Sequence, residues 1–427
     1  MHATPQPLDS TPLPARDRRR LFIRAIAVGF AAGLLSIAFR YSLQAADDLR
    51  KALLEQGPLV AISFAILSIS LGVFLVHRFA PEAAGSGIPH VEGVLHLGLP
   101  FRWIRVIVVK AAGGVLAIGG GLTLGREGPT VQLGAATGAG IGWFGRASGE
   151  ERRSLIAIGA GAGLSATFNA PLAGMAFVFE ELRGGYRPGD YLAALLACSV
   201  SDSLARAAFG QGPIFGALRV LEPALTYLPL ALIIGVLGGV LGVFFNSCVL
   251  RSVLGIGRLQ RRGLFVLGFA SLIGLCGWIQ PDLVGDGHHL LGKVLREAPL
   301  PRIAMGLVML RFLLTLGSYA CGAAGGLFTP ILVIGAYLGA AAGGFARDDS
   351  HTILAVILGM ASLFTGSIRA PVTGILLMVE MTGSYAIILP LLVAVLAAEF
   401  VAGELGGKPL YAELLERNPL YHGRGRD

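Results

Sequence analysis

The chain reads as an all-α polytopic membrane protein built from two related halves of tilted and broken helices. Three observations predict this. Of the 427 residues, 54% are hydrophobic and 14% charged, against roughly a quarter charged in an average soluble domain, so most of the chain belongs in lipid. Glycine numbers 62, more than loops need, and falls at GxxxG spacing in Gly134/Gly138, Gly235/Gly239 and Gly335/Gly339. That spacing lets membrane helices approach closely. The third observation is an internal repeat. Gly125, Glu127, Pro129, Gly134 and Gly138 align with Gly326, Phe328, Pro330, Gly335 and Gly339 at one constant offset. Ala170-Pro171-x-x-Gly174 ending in Glu180 recurs, at an offset one residue shorter, as Ala370-Pro371-x-x-Gly374 ending in Glu380.

Taken in order, residues 1–15 are expected to be a disordered cytoplasmic N-terminus, with helices beginning near Arg16. A proline-rich start without an A-x-A site predicts no cleaved signal peptide. The first repeat is expected over 16–210 and the second over 225–416, joined by a linker at 211–224. The runs Ala25–Phe39, Pro58–Val76, Leu228–Phe245, Ile303–Leu316 and Ile387–Ala398 are candidate spans. Several are shorter than the ~20 residues of a simple crossing, hence the expectation of broken helices. Polar connectors are read at Gly145–Arg153 and Glu181–Asp190. The tail 417–427 is expected to be short and cytoplasmic, without room for a regulatory domain.

Arginines 16, 18, 19, 20 and 24 precede the first span, and Lys408, Arg417, Arg424 and Arg426 lie near the end. By the positive-inside rule both termini are cytoplasmic. The net charge of +8 is thus an orientation signal, and without stacking aromatics beside it nothing suggests nucleic acid. Termini on one side require an even number of crossings. If each half crosses an odd number of times the halves are inverted, which brings their broken-helix ends together near the midplane; two even halves would be parallel, and parity allows both.

Three segments share one design, a glycine four residues before a proline: Gly85-Ser86-Gly87-Ile88-Pro89, Gly125-Arg126-Glu127-Gly128-Pro129 and Gly326-Leu327-Phe328-Thr329-Pro330. In the second, Pro129 is expected at the first helical position, where its missing N–H costs nothing. Gly125 and Gly128 are expected to take unusual dihedrals that aim bare N–H groups at one point. The positive end of the helix dipole faces the same place. This is an anion site, and Glu127 sits inside it: ionised, it fills the site itself; protonated, it leaves the place to an external anion.

Each residue also has a plainer use. Ser86 can be a helix N-cap. Glu127 can be a surface partner of Arg126, although adjacent helical residues do not face each other. Glu180 and Glu181 can end a helix at the interface; Glu180 has an acidic repeat mate, Glu380, whereas the repeat mate of Glu181 is Met381, so Glu181 suits one-sided work such as proton transfer. Tyr411 can belong to an interfacial aromatic belt. Cys198, Cys248, Cys276 and Cys321 show no CxxC pair and read as packing residues. His288–His289 reads as a loop pair, and no metal site is expected.

The three motifs in this order, with PEAAGSGIP upstream and GGKPLY near the end, resemble the CLC family of chloride channels and proton-coupled chloride transporters, in particular its bacterial chloride/proton antiporters. The resemblance runs from about Arg20 to Leu415. It implies a CLC-type fold with two inverted-topology repeats, a bacterial inner membrane, a homodimer with one pathway per subunit, and neither cofactor nor enzymatic chemistry. It implies that chloride is held by the Ser86 hydroxyl, the N–H groups of Leu327 and Phe328 and the Tyr411 hydroxyl. Glu127 would be the gating glutamate and Glu181 the internal proton-transfer acid. His90 stands where many relatives carry an acid, and Ser86 suits chloride where nitrate-preferring relatives carry proline. The chemistry agrees: a bare chloride in low dielectric costs tens of kcal/mol, and hydroxyls and N–H groups offset that without trapping the ion as a full charge would. The expected function is exchange of chloride for protons. Its rivals are a passive voltage- or pH-gated chloride channel of the same fold, disfavoured by Glu181, and a cation-coupled organic solute carrier, whose sodium-binding cluster is not identifiable here.

Overall fold

The computed structural model describes residues 15–182, 188–216, 225–257, 262–344 and 349–417. Residues 1–14 and 418–427, and 217–224 of the expected linker, lie outside the described residues. The first eight helices are α1 Ala15–Leu54, α2 Pro58–Phe79, α3 Ile88–Leu97, α4 Trp103–Gly119, α5 Glu127–Phe144, α6 Gly149–Phe168, α7 Pro171–Phe177 and α8 Pro188–Phe209. A π-helical turn, Val178–Leu182, continues α7. Then follow α9 Leu228–Gly257, α10 Arg262–Ile279, α11 His288–Arg296, α12 Pro301–Ala320, α13 Phe328–Gly343, α14 Asp349–Ile368, α15 Pro371–Thr382, α16 Ile388–Glu404 and α17 Leu410–Arg417. Among the described residues there is no strand, only two isolated bridges between loops.

Among the described residues, six helices, α1, α2, α8, α9, α10 and α12, are long and apolar enough to cross a membrane. Helices α5 and α13 are buried on nearly every face, as expected where a helix is apolar all round. Their glycines make that burial possible. A Cβ on Gly134 would collide with the Gly159 carbonyl of α6, and one on Gly159 with the Gly134 carbonyl of α5. In the second half Gly335 and Gly339 meet Gly359 and Ala355 in the same way, and Gly235 and Gly239 meet Ala394 and Ala398 of α16. The GxxxG segments therefore mark backbone-to-backbone contacts.

Helices α9 to α16 repeat α1 to α8 in order, and α17 has no counterpart. Side chains repeat the symmetry. Glu180 accepts from the N–H groups of Val372 and Thr373, at 2.9 and 2.6 Å, at the start of α15. Glu380 accepts from Leu172 and Ala173, at 3.1 and 2.8 Å, at the start of α7. Each repeat thus caps a helix of the other, as elements related by a two-fold do.

Three local expectations change. Helix α5 begins at Glu127, so Pro129 is its third residue; proline is still tolerated there because none of the first four N–H groups has an intrahelical partner. The polar connector expected at Gly145–Arg153 is shorter, since α6 begins at Gly149, and 183–187 of the one expected at 181–190 lie outside the described residues. Finally, there are four helix starts of related design. Gly285-Asp286-Gly287-His288 occupies in the second half the place of Gly85-Ser86-Gly87-Ile88. Both pairs of glycines are left-handed, with φ of 63° and 83° in the first and 82° and 82° in the second. Each follows a 3-10 turn, Pro81–Ala83 or Pro281–Leu283. The fourth start lacks the proline that marks the other three.

Candidate anion and proton pathway

The helix starts converge through their backbones. The Gly125 N–H donates to the Gly326 carbonyl and the Gly326 N–H to the Gly125 carbonyl, both at 2.7 Å, an antiparallel bridge between repeat mates. The Gly85 N–H donates to the Ala323 carbonyl, and the Gly285 N–H to that of Gly121, each at 2.9 Å. Gly125 and Gly128 are not among the residues with positive φ. Glycine is needed there for space: a Cβ on Gly128 would lie 2.8 Å from the Ser86 Cβ, and one on Gly125 would strike the Glu127 carboxylate. Lys110, which sequence reasoning passed over, is fully buried. It donates to the carbonyls of Ala83 at 3.0 Å and Gly85 at 2.7 Å, so it braces the first loop.

Ser86 is fully buried. Its hydroxyl oxygen accepts from the Ile88 N–H at 3.3 Å, from one position before the N-cap, Gly87, and the hydroxyl also hydrogen-bonds Tyr319; a hydroxyl proton rotates between acceptors, so it can turn to an anion. Tyr411 is also fully buried, and its hydroxyl has no hydrogen-bond partner among the described residues. It lies within electrostatic reach of Tyr319, Glu181 and Glu127. Leu327 and Phe328 are completely buried at the start of α13. The Phe328 ring packs among Phe168, Phe177 and Phe364, with centroids 5.4, 6.2 and 4.6 Å away.

Glu127 is the first residue of α5 and wholly buried. One carboxylate oxygen accepts from the Thr329 N–H, 3.4 Å away in the first turn of α13, so the acid of one repeat sits on the helix start of the other. The second oxygen lies 2.7 Å from His288 Nε2. Arg126 turns elsewhere, with its guanidinium 3.8 Å from Asp286. The surface-pair use of Glu127 is thereby excluded, and His288, read as part of a loop pair, is the first residue of α11. Glu181 lies on the π-helical turn after α7 and hydrogen-bonds Glu92 of α3. A bond between two carboxyl groups requires a proton on one of them. Glu92 was missed, although an acid inside GSGIPHVEG, among apolar residues, was a signal.

The sequence pattern of the family described as "Voltage gated chloride channel" matches residues 65–403. The chain belongs to that family. It is 39% identical over 417 residues to an H(+)/Cl(-) exchange transporter ClcA of Vibrio vulnificus (strain YJ016), an alignment covering 93% of this chain and 89% of the relative. With the transporter of that name from Citrobacter koseri it shares 37% over 430 residues, 96% of this chain and 89% of the relative. The crystal structure of a slow cyanobacterial Cl-/H+ antiporter superposes with a TM-score of 0.91 at 34% identity, covering 97% of this chain and all of that one. The CLC-type architecture expected from the motifs is therefore the architecture of this chain.

Proposed function

We propose that this chain is a secondary active transporter that exchanges chloride for protons. The observation that carries the reading is the seat of Glu127, a buried carboxylate on the N-terminal turn of α13, in the place where the dipole and bare N–H groups would receive an anion. Chloride and this carboxylate compete for one seat, so a proton taken up by Glu127 frees it for the ion. In this reading the Ser86 and Tyr411 hydroxyls and the N–H groups of Leu327 and Phe328 hold chloride, and the ring of Phe328 walls the path against water. Glu181, paired with Glu92, carries protons to the other solution. That pair of acids favours exchange over a passive channel, which needs no second acid.

The same reading divides the chain into repeats at 16–210 and 225–416. It places both termini in the cytoplasm, the chain in a bacterial inner membrane as a homodimer with one pathway per subunit, and transport without cofactor or covalent intermediate. In liposomes, an imposed chloride gradient will drive protons uphill, and Glu127→Gln will keep chloride flux while abolishing the coupled proton flux. Chloride flux unaccompanied by protons in the unsubstituted protein would point to a channel.

A further inference from the structure

None of the three sequence motifs contains His288. It opens α11, where its repeat mate in α3 is the apolar Ile88. Gly287 before it is left-handed, and the His288 N–H donates to Asp286 Oδ1 at 3.1 Å. The turn sends the imidazole inward: Nε2 lies 2.7 Å from Glu127 Oε1 and 3.4 Å from Thr329 Oγ1. The same ring lines an open cavity of about 520 Å³. Its side chain is 12% exposed where that of Glu127 is 0%, so the imidazole links the buried carboxyl to the cavity.

The groups around it are known. Asp286 belongs to its own turn and faces Arg126. On α11, His289 pairs with Asp282 at 3.6 Å, and Arg296 lines the cavity. Helix α1 contributes Arg40, Asp47, Asp48 and Lys51 to the cavity wall. From α12, the guanidinium of Arg311 lies against Gly287 and donates to the Leu283 carbonyl at 2.9 Å. Helices α6 and α13 present Phe168, with centroids 6.0 Å apart, and Thr329, neither of which exchanges protons near neutral pH.

We propose that His288 hands protons between Glu127 and this cavity, and that in the same act it holds the ionised carboxylate on the start of α13. The inference rests on the exchange reading above. In the releasing direction the O–H bond of protonated Glu127 breaks and an N–H bond forms at Nε2, giving a carboxylate and an imidazolium. The ring then passes one proton to water in the cavity and is neutral again. Loading runs in reverse, and no other reactant is needed. The cavity lies at the end of α1 remote from its N-terminus, the external side under the proposed orientation.

The test uses the full-length protein in liposomes, with chloride and proton fluxes recorded together while pH, equal on both sides, is varied. His288→Gln keeps a polar side chain but cannot carry a proton. Its coupled turnover falls several-fold and its pH profile changes shape, with the ratio of chloride to protons kept. Added imidazole restores turnover to His288→Ala, while a bulky buffer does not. His289→Gln, altered at a ring 69% exposed, follows the unsubstituted profile. The effect is non-additive with Glu127→Gln: the double variant moves chloride as fast as the single one, which also shows that it is folded. An unchanged pH profile in His288→Gln, no imidazole rescue, or an equal further loss in the Glu127→Gln background would overturn the relay. Coupled proton movement persisting in Glu127→Gln alone would overturn the exchange reading itself, and the relay with it.

Discussion

The hydroxyl of Tyr411 is buried and bonded to nothing among the described residues, which makes it the simplest residue on which to test the anion site. Removing it leaves no other group unsatisfied. Tyr411→Phe is therefore expected to keep its melting temperature in detergent, yet to bind chloride roughly ten- to a hundredfold more weakly, the worth of one hydrogen bond to a charged partner; isothermal titration reads this directly. Equal chloride affinity in the two proteins would place the ion elsewhere. At this scale the sequence was legible wherever a residue stood inside a recurring motif. Glu127 and Ser86 could be singled out because glycine and proline framed them. His288 could not, because no spacing rule joins a histidine of α11 to a carboxylate of α5; Glu92 stood out as an acid among apolar residues, but its partner Glu181 lies far along the chain. The crowding that demands glycine at 125 and 128 was hidden for a related reason: it comes from Glu127 and Ser86 in three dimensions, and local backbone preference does not contain it.

Among the elements, the reciprocal capping of α15 by Glu180 and of α7 by Glu380 joins the two repeats. Glu180 also accepts from the Thr373 hydroxyl at 2.7 Å. Truncating it leaves donors unpaired at a helix start, a loss of about 1–3 kcal/mol. Glu180→Ala should accordingly lower the denaturation midpoint in detergent, and Glu180→Gln, which keeps an acceptor, should lower it less. Identical midpoints for all three proteins would show that the caps do not couple the halves. The repeat behind this pair was readable from two blocks at nearly one offset, and so were the close-packed faces of α5 and α13 from their glycines. Helix boundaries were less so. Proline at the third position of α5 and α13 satisfies the same steric rule as proline at the first, so GxxxP alone does not set the register. The fourth helix start, Gly285 to His288, was hidden because it keeps the paired glycines and drops the proline.

Across the whole molecule, two inverted sets of helix starts bring peptide dipoles from both repeats to one desolvated place, and an acid of the first repeat sits on a helix of the second. This arrangement makes anion occupancy and proton occupancy mutually dependent, and linkage requires the dependence to be reciprocal. If chloride displaces the Glu127 carboxylate, the displaced group takes up a proton, so binding of the ion must draw protons from solution. The direct measurement is the pH of a weakly buffered solution of the purified protein as chloride is added. The unsubstituted protein should take up protons in step with saturation of the chloride site, and Glu127→Gln should bind chloride with no such uptake. Chloride binding to the unsubstituted protein without proton uptake, or uptake that survives Glu127→Gln, would contradict the account.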